Sequence, residues 1–201
     1  MAPGATLLHL SATGTVQETP DLLVAQLDAE ASSASPVAAQ RQVNGLIAAA
    51  TAQAAKVVGI AAHLDGYSVE HTGDKQTLWT ARQSLRLQGN DATALLELVG
   101  RLQQSGLVIG DLAWTLSPGR MQEASRRAAD LALRTLQADA AAAAGSLGLK
   151  VGTLRDVSLT DQCGGPRPMF RMRAAAMAAP QATQDAQDVS REASAEIELH
   201  P

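Results

Sequence analysis

The sequence predicts an α+β fold in which a β-α-β-β-α-β core is extended by a long alanine-rich helix and further antiparallel strands. Three observations predict it. Stretches of alternating apolar and polar residues mark half-buried strands, runs with apolar residues three and four apart mark helices, and the two patterns succeed one another in a fixed order along 201 residues. The first strand signal is Leu8, Leu10 and Ala12 alternating with His9 and Ser11; the second is Leu23, Ala25, Leu27 and Ala29 alternating with Gln26, Asp28 and Glu30. Gly14 and Pro20 lie between them, so the two are expected to form a hairpin. Ser35-Pro36 then supplies a cap and a first-turn proline for a helix of about 22 residues. Its inward stripe is Val43, Ile47, Ala50, Ala54 and Val57, and Gly59 closes it.

Leu64 to His71 and Leu78 to Gln88 read as an antiparallel pair joined through His71-Thr72-Gly73-Asp74. Trp79, Ala81, Leu85 and Leu87 take one face of the second strand, and Thr80, Arg82, Ser84 and Arg86 the other, which should meet water or a partner subunit. Asn90-Asp91 caps a short helix with Leu95, Leu98, Val99 and Leu102 on one side, stopped by Ser105-Gly106 before a strand carrying Leu112, Trp114 and Leu116. From Leu22 to Leu116 the order is β-α-β-β-α-β, which matches the ferredoxin-like, or split βαβ, arrangement.

Ser117-Pro118-Gly119 opens the longest helix, which reaches about Leu147; ten of its thirty residues are alanine. Ala129, Leu133, Leu136, Ala140, Ala143 and Leu147 are its expected stripe, and such small side chains allow close approach to a sheet or helix. Thr153 to Leu159 reads as a strand and residues 161–188 as a long excursion loop. Ala193, Ala195, Ile197 and Leu199, alternating with Ser194, Glu196 and Glu198, close the chain with another amphipathic strand.

Composition excludes several classes of partner. A net charge of −4 gives no basic field for nucleic acid, and an aromatic content of 2% leaves little for a base-stacking surface. No apolar run approaches the roughly 20 residues of a membrane-spanning helix. The single Cys163 excludes an internal disulfide and a multi-cysteine metal site within one chain. His9, His63, His71 and His200 fall in four segments without ligand-like spacing, so no metal and no cofactor is expected. Phosphate loops, dinucleotide glycine fingerprints, two-histidine zinc helices and nucleophile-elbow serines are all absent from the sequence.

What remains is a short set of candidates. Cys163, between Gln162 and Gly164-Gly165-Pro166-Arg167, is the redox candidate, because Arg167 favours thiolate; the alternative is an exposed loop thiol without function. Met169, Phe170 and Met172, with Met177 nearby and Arg171 and Arg173 interleaved, are candidates for contact with a partner or subunit, or for a sacrificial or soft-metal patch. Asp28 with Glu30 and Glu196 with Glu198 are expected to be solvated strand faces. Arg126, Arg127 and Arg134 should pair along their own helix with Glu123 and Asp130.

These residues, taken in order, resemble the SIMPL-domain family. The resemblance rests on Gly14-Thr15-Val16 followed by Pro20-Asp21, on Gly66-Tyr67-Ser68-Val69, and on Glu123-Ala124 through Arg127-Ala128 and Ala140 to Leu147-Gly148-Leu149-Lys150-Val151-Gly152. Pro168-Met169 with Arg171 and Ala174, and the closing Ala193-Ser194-Ala195, extend it over nearly the whole chain. It implies one SIMPL-like domain over residues 1–201, and a bacterial envelope protein linked to oxidative-stress defence and without an agreed biochemical activity. It also implies periplasmic residence with the export signal removed before Met1, and assembly into homo-oligomers. The reading is therefore a non-enzymatic, self-assembling protein; the alternative is a small-molecule-binding or thiol-redox enzyme using Cys163.

An odd cysteine in an exported protein points to pairing between chains or to a free thiol. Under mild peroxide the wild-type chain is expected to run as a reducible dimer on non-reducing gels, while Cys163→Ser stays single and keeps its circular dichroism. A wild-type thiol that neither dimerises nor reacts with a water-soluble alkylating reagent would mean that Cys163 is packed away from solvent.

Overall fold

The computed structural model describes residues 6–72, 78–161 and 183–201. Along the chain run β1 (Thr6–Glu18), β2 (Leu22–Ser33), α1 (Pro36–Ala54), β3 (Ile60–Thr72), β4 (Leu78–Gly89), α2 (Ala92–Gln104), β5 (Val108–Thr115), α3 (Pro118–Ser146), β6 (Lys150–Asp161) and β7 (Gln187–His200). They divide between two compact units.

The first unit contains β2 to β5 with α1 and α2. Its four strands lie in the order β3-β4-β2-β5, every neighbouring pair antiparallel. β2 and β3, joined by α1, therefore run parallel with β4 between them, which is the split βαβ topology expected from the element order. Pro36 starts α1 behind an extended Ser35, whose hydroxyl makes no capping bond. Asp91 caps α2 through a 3.0 Å bond that its carboxylate accepts from the Ala94 N–H. That helix ends where Gly106 takes φ +100°, letting Leu107 N–H reach the Leu102 carbonyl and Gly106 N–H the Gln103 carbonyl. Leu23, Ala25, Leu27 and Ala29 of β2 and Ala81, Leu85 and Leu87 of β4 form one side of the core. Val43, Ile47, Leu95, Leu98 and Leu102 of the helices form the other. Each fully buried leucine contributes about 1.5–3 kcal/mol by leaving water.

The second unit holds β1, α3, β6 and β7. Its sheet has the order β1-β7-β6, and β1 pairs with β7 without interruption from Thr6↔Leu199 to Glu18↔Gln187. The expected hairpin of the first two strands is thus corrected: β1 runs straight through Gly14, and its partner is the last strand of the chain, not β2. Alternation marks a half-buried strand but cannot say which strand lies beside it.

α3 packs over β1 and β7. Its buried residues are Ala124, Ala128, Ala132, Leu136, Ala140 and Ala144, so the stripe expected at Ala129, Leu133, Ala143 and Leu147 lies to one side of the real one. Only Leu136 and Ala140 were common to both. A row of strict fourth residues turns by about 40° per step around a helix with 3.6 residues per turn. It stays in contact only with a surface that twists beneath it, as a sheet does. At Gly14 the two backbones meet: a methyl there would lie 2.1 Å from the Ala128 carbonyl oxygen and 2.5 Å from the Ala132 nitrogen. Gly14→Ala should therefore force backbone apart and lower the unfolding free energy by about 1–3 kcal/mol. Ser11→Ala, on the exposed face of the same strand, should change it by less than about 0.5 kcal/mol in the same urea titration. Equal midpoints for the two variants would contradict the close approach.

Candidate functional site

The residues singled out for redox or partner contact, Cys163, Met169, Phe170, Arg171, Met172 and Arg173, with Met177, lie at 162–182, outside the described residues. The four histidines lie apart, each with its own neighbour. His9 Nδ1 is 3.2 Å from Glu196 Oε1, His63 Nε2 is 3.5 Å from Gln88 Nε2, and the His71 ring meets Trp79 edge-on at 5.1 Å. His200 lies over Gly152, where a methyl would fall 2.4 Å from its ring. Among the described residues no three His, Cys, Asp or Glu side chains converge as a metal site.

The carboxylates expected on solvated faces are engaged across strands: Glu30 keeps its exposure while paired, whereas Glu198 is largely buried. On the helix-free face of the first unit, Ser84 Oγ donates to Asp28 at 2.5 Å, Arg82 pairs with Glu30, Arg86 Nε donates to Asp65 at 2.6 Å, and Ser32 and Thr80 share a 2.8 Å bond. The hydrogen bond that Arg82 donates to Glu30, and then the charge of Glu30, raise the Arg82 pKa further above its ordinary value, so its guanidinium stays charged. A carboxylate already holding a guanidinium or hydroxyl is poorly placed to take a proton from a substrate. Such a face fixes strand register and presents alternating charge.

In the second unit, Arg155 pairs with Glu198, one of the few charged side chains that the fold largely buries. Arg127 reaches across to Glu18 of β1 instead of pairing only along its own helix, and Arg191 Nη1 donates to Ser125 Oγ at 3.1 Å. Both contacts bind α3 to the two strands beneath it. Sequence spacing along a helix could not reveal either one.

Two surfaces remain unfilled within their units. The first is an open groove of about 560 Å³ between α1 and the β3–β4 edge, floored by Ile47, Ala48, Ala52, Ala55 and Leu64 with Asn44 and Gln83 beside them. Thr51, also in its lining, spends its hydroxyl on the Ile47 carbonyl at 2.8 Å. The lining carries no charge, so the groove suits neutral, apolar matter and offers no acid–base pair.

The second surface is β6, which ends its sheet among the described residues. A helix is about 10 Å across and strands are spaced by about 4.8 Å, so α3, seated mainly over β1 and β7, covers the third strand only in part. Val151 is 40%, Leu154 40%, Val157 48% and Leu159 42% exposed. The register sets Val151 opposite Leu199, Leu154 opposite Ile197 and Leu159 opposite Ala193, so these three continue the core face beyond the helix's reach. Thr153 to Leu159 reads as a strand in the sequence; its place at a sheet edge cannot be read there.

Comparison with known proteins adds a family. The SIMPL model, described as "Protein of unknown function (DUF541)", matches residues 8–200. No curated protein matches the chain. A solved structure described as a putative amidohydrolase/peptidase from Burkholderia cenocepacia is similar at 16% identity, over 69% of this chain and 34% of that one, with a TM-score of 0.30. The chain thus spans about a third of that structure's length, and a likeness at this level bears on neither fold nor activity.

The Arg155–Glu198 pair has a measurable consequence. Arg155→Ala leaves a largely buried carboxylate without its cation and should lower stability by about 1–3 kcal/mol in chemical denaturation. Adding Glu198→Gln should recover part of that loss. A single variant as stable as wild type would show that the pair contributes nothing.

Proposed function

The chain belongs to the SIMPL family, and from that premise we propose that it is a periplasmic envelope protein that acts by self-assembly, within oxidative-stress defence, and not by turnover of a substrate. The observation that carries the assembly reading is β6: four apolar side chains, each 40–48% exposed, lie on one edge strand that α3 covers only in part. Contiguous apolar surface of this kind marks interaction sites more often than scattered single residues do. The periplasmic and stress-defence parts rest on the resemblance to exported proteins in the Gly14, Pro20-Asp21 and α3 motifs. Among the described residues no helix is long and apolar enough to cross a membrane.

The groove beside α1 favours a second reading, binding of a neutral apolar small molecule, since its volume falls within the usual range for ligand sites. Its openness to solvent favours the assembly reading over this one, because ligand sites bury most of what they hold.

Light scattering of this 201-residue chain at micromolar concentration is expected to give a mass of at least twice its own 20.8 kDa, and the native protein is expected to be released by osmotic shock. A strictly monomeric species at all concentrations would remove the self-assembly reading. Retention in the cytoplasmic fraction would remove the periplasmic one.

A further inference from the structure

We infer that β6 is the edge through which two copies join, pairing antiparallel with β6 of a second copy so that two three-stranded sheets become one of six strands; the inference rests on the self-assembly reading above. β6 ends the sheet order β1-β7-β6, so no described strand pairs with its outer backbone edge, the kind of edge to which another strand can add. β1, at the opposite end, differs in its side chains. Its core-side Leu8, Leu10 and Ala12 pack into the cluster under α3, whereas Val151, Leu154 and Leu159 on β6 stay 40–42% exposed.

Three features select a second copy as the occupant, and an antiparallel one. The first is charge order: Lys150 and Arg155, the latter paired with Glu198 in its own chain, fall in the first half of the strand, and Asp156 opens the second. Antiparallel pairing about a two-fold axis near the strand centre sets the basic half of each copy against the acidic half of the other, and parallel pairing sets like against like. The second is the shape of the edge. β6 is irregular against β7: Gly152 and Thr153 together oppose Glu198, and Asp156 and Val157 together oppose Ala195, with Asp156 at φ +44°. Bulges blunt an edge against indiscriminate pairing and pin its register. An identical strand related by a two-fold axis carries the same bulges in reverse order and can follow the same bends, while a regular strand cannot.

The third feature is the cover. A two-fold axis perpendicular to the sheet keeps the two copies of α3 on one face, with the doubled strip of Val151, Leu154 and Leu159 between them. A strip that one helix leaves bare on its far side is then flanked by a helix on both sides. The pairing is isologous, so it closes at two copies.

Two sets of variants test this. In the first, Val157→Lys with Leu159→Lys places like charges at the proposed seam, and its effect is read by sedimentation against wild type, with circular dichroism as the control for folding. In the second, a Cys163→Ser background carries either Val157→Cys beside the proposed axis or Val58→Cys, which is 96% exposed in the other unit. Each is treated with a mild oxidant, since a disulfide needs Cα atoms about 4.4–6.8 Å apart. The double lysine variant is expected to weaken association at least tenfold, and Val157→Cys, not Val58→Cys, to be trapped as a disulfide-linked dimer. If wild type associates while the lysine variant associates equally and Val157→Cys is not trapped, β6 is not the seam although self-assembly stands. If wild type is monomeric throughout, self-assembly fails and this inference with it. Should the lysine variant lose its fold, cysteine trapping decides.

Discussion

The second unit depends on one close approach, the passage of α3 over β1 at Gly14. No side chain larger than hydrogen fits there, because helix backbone atoms of Ala128 and Ala132 occupy the space a methyl would take. Gly14 is not needed for its conformation, since its φ is not in the left-handed region; it is needed for its size. The row of alanines facing it has the same requirement. Small residues bring helix and strands together, and Arg127–Glu18 and Arg191–Ser125 hold that position. Seated there, a single helix lies mainly over two strands, and the apolar side chains of the third, β6, stay 40–48% exposed.

The first unit is organised differently. Two helices cover its four-stranded sheet, with leucine and valine filling the interior, and its other face carries cross-strand pairs of opposite charge. Those pairs engage Asp28, Glu30 and Asp65. What this unit presents is a charged, register-fixing face and a neutral apolar groove. The membership in the SIMPL family is compatible with a protein that works through its surfaces.

The β-α-β-β-α-β unit was legible in the sequence because each of its signals is local. Asp91 caps α2 where Asn90-Asp91 precedes the apolar run, Gly106 ends it, and Ala81, Leu85 and Leu87 alternate inward as the period of two requires. The failures are non-local. Leu8, Leu10 and Ala12 announce a strand, but a partner nearly the whole chain away leaves no mark in their spacing. The contact face of α3 was misplaced by a residue or two because alanine is so frequent there that several stripes look equally apolar, and sheet twist selects among them. The edge position of β6, and so its exposed Leu154 and Leu159, depends on strand order, which alternation does not encode. Glu196 and Glu198 look alike in sequence; only the fold shows that one pairs with an exposed His9 and the other lies largely buried against Arg155.

Hydrogen–deuterium exchange of β6 as a function of protein concentration tests most directly whether the edge strand that α3 covers least is where copies meet. Backbone amides on an unpaired edge exchange readily, and pairing with a second strand protects those that point outward. Slower exchange within residues 150–161 on going from nanomolar to micromolar protein, with β1 unchanged, is the result this account predicts. Protection that rises with concentration elsewhere while residues 150–161 exchange at the same rate throughout would contradict it.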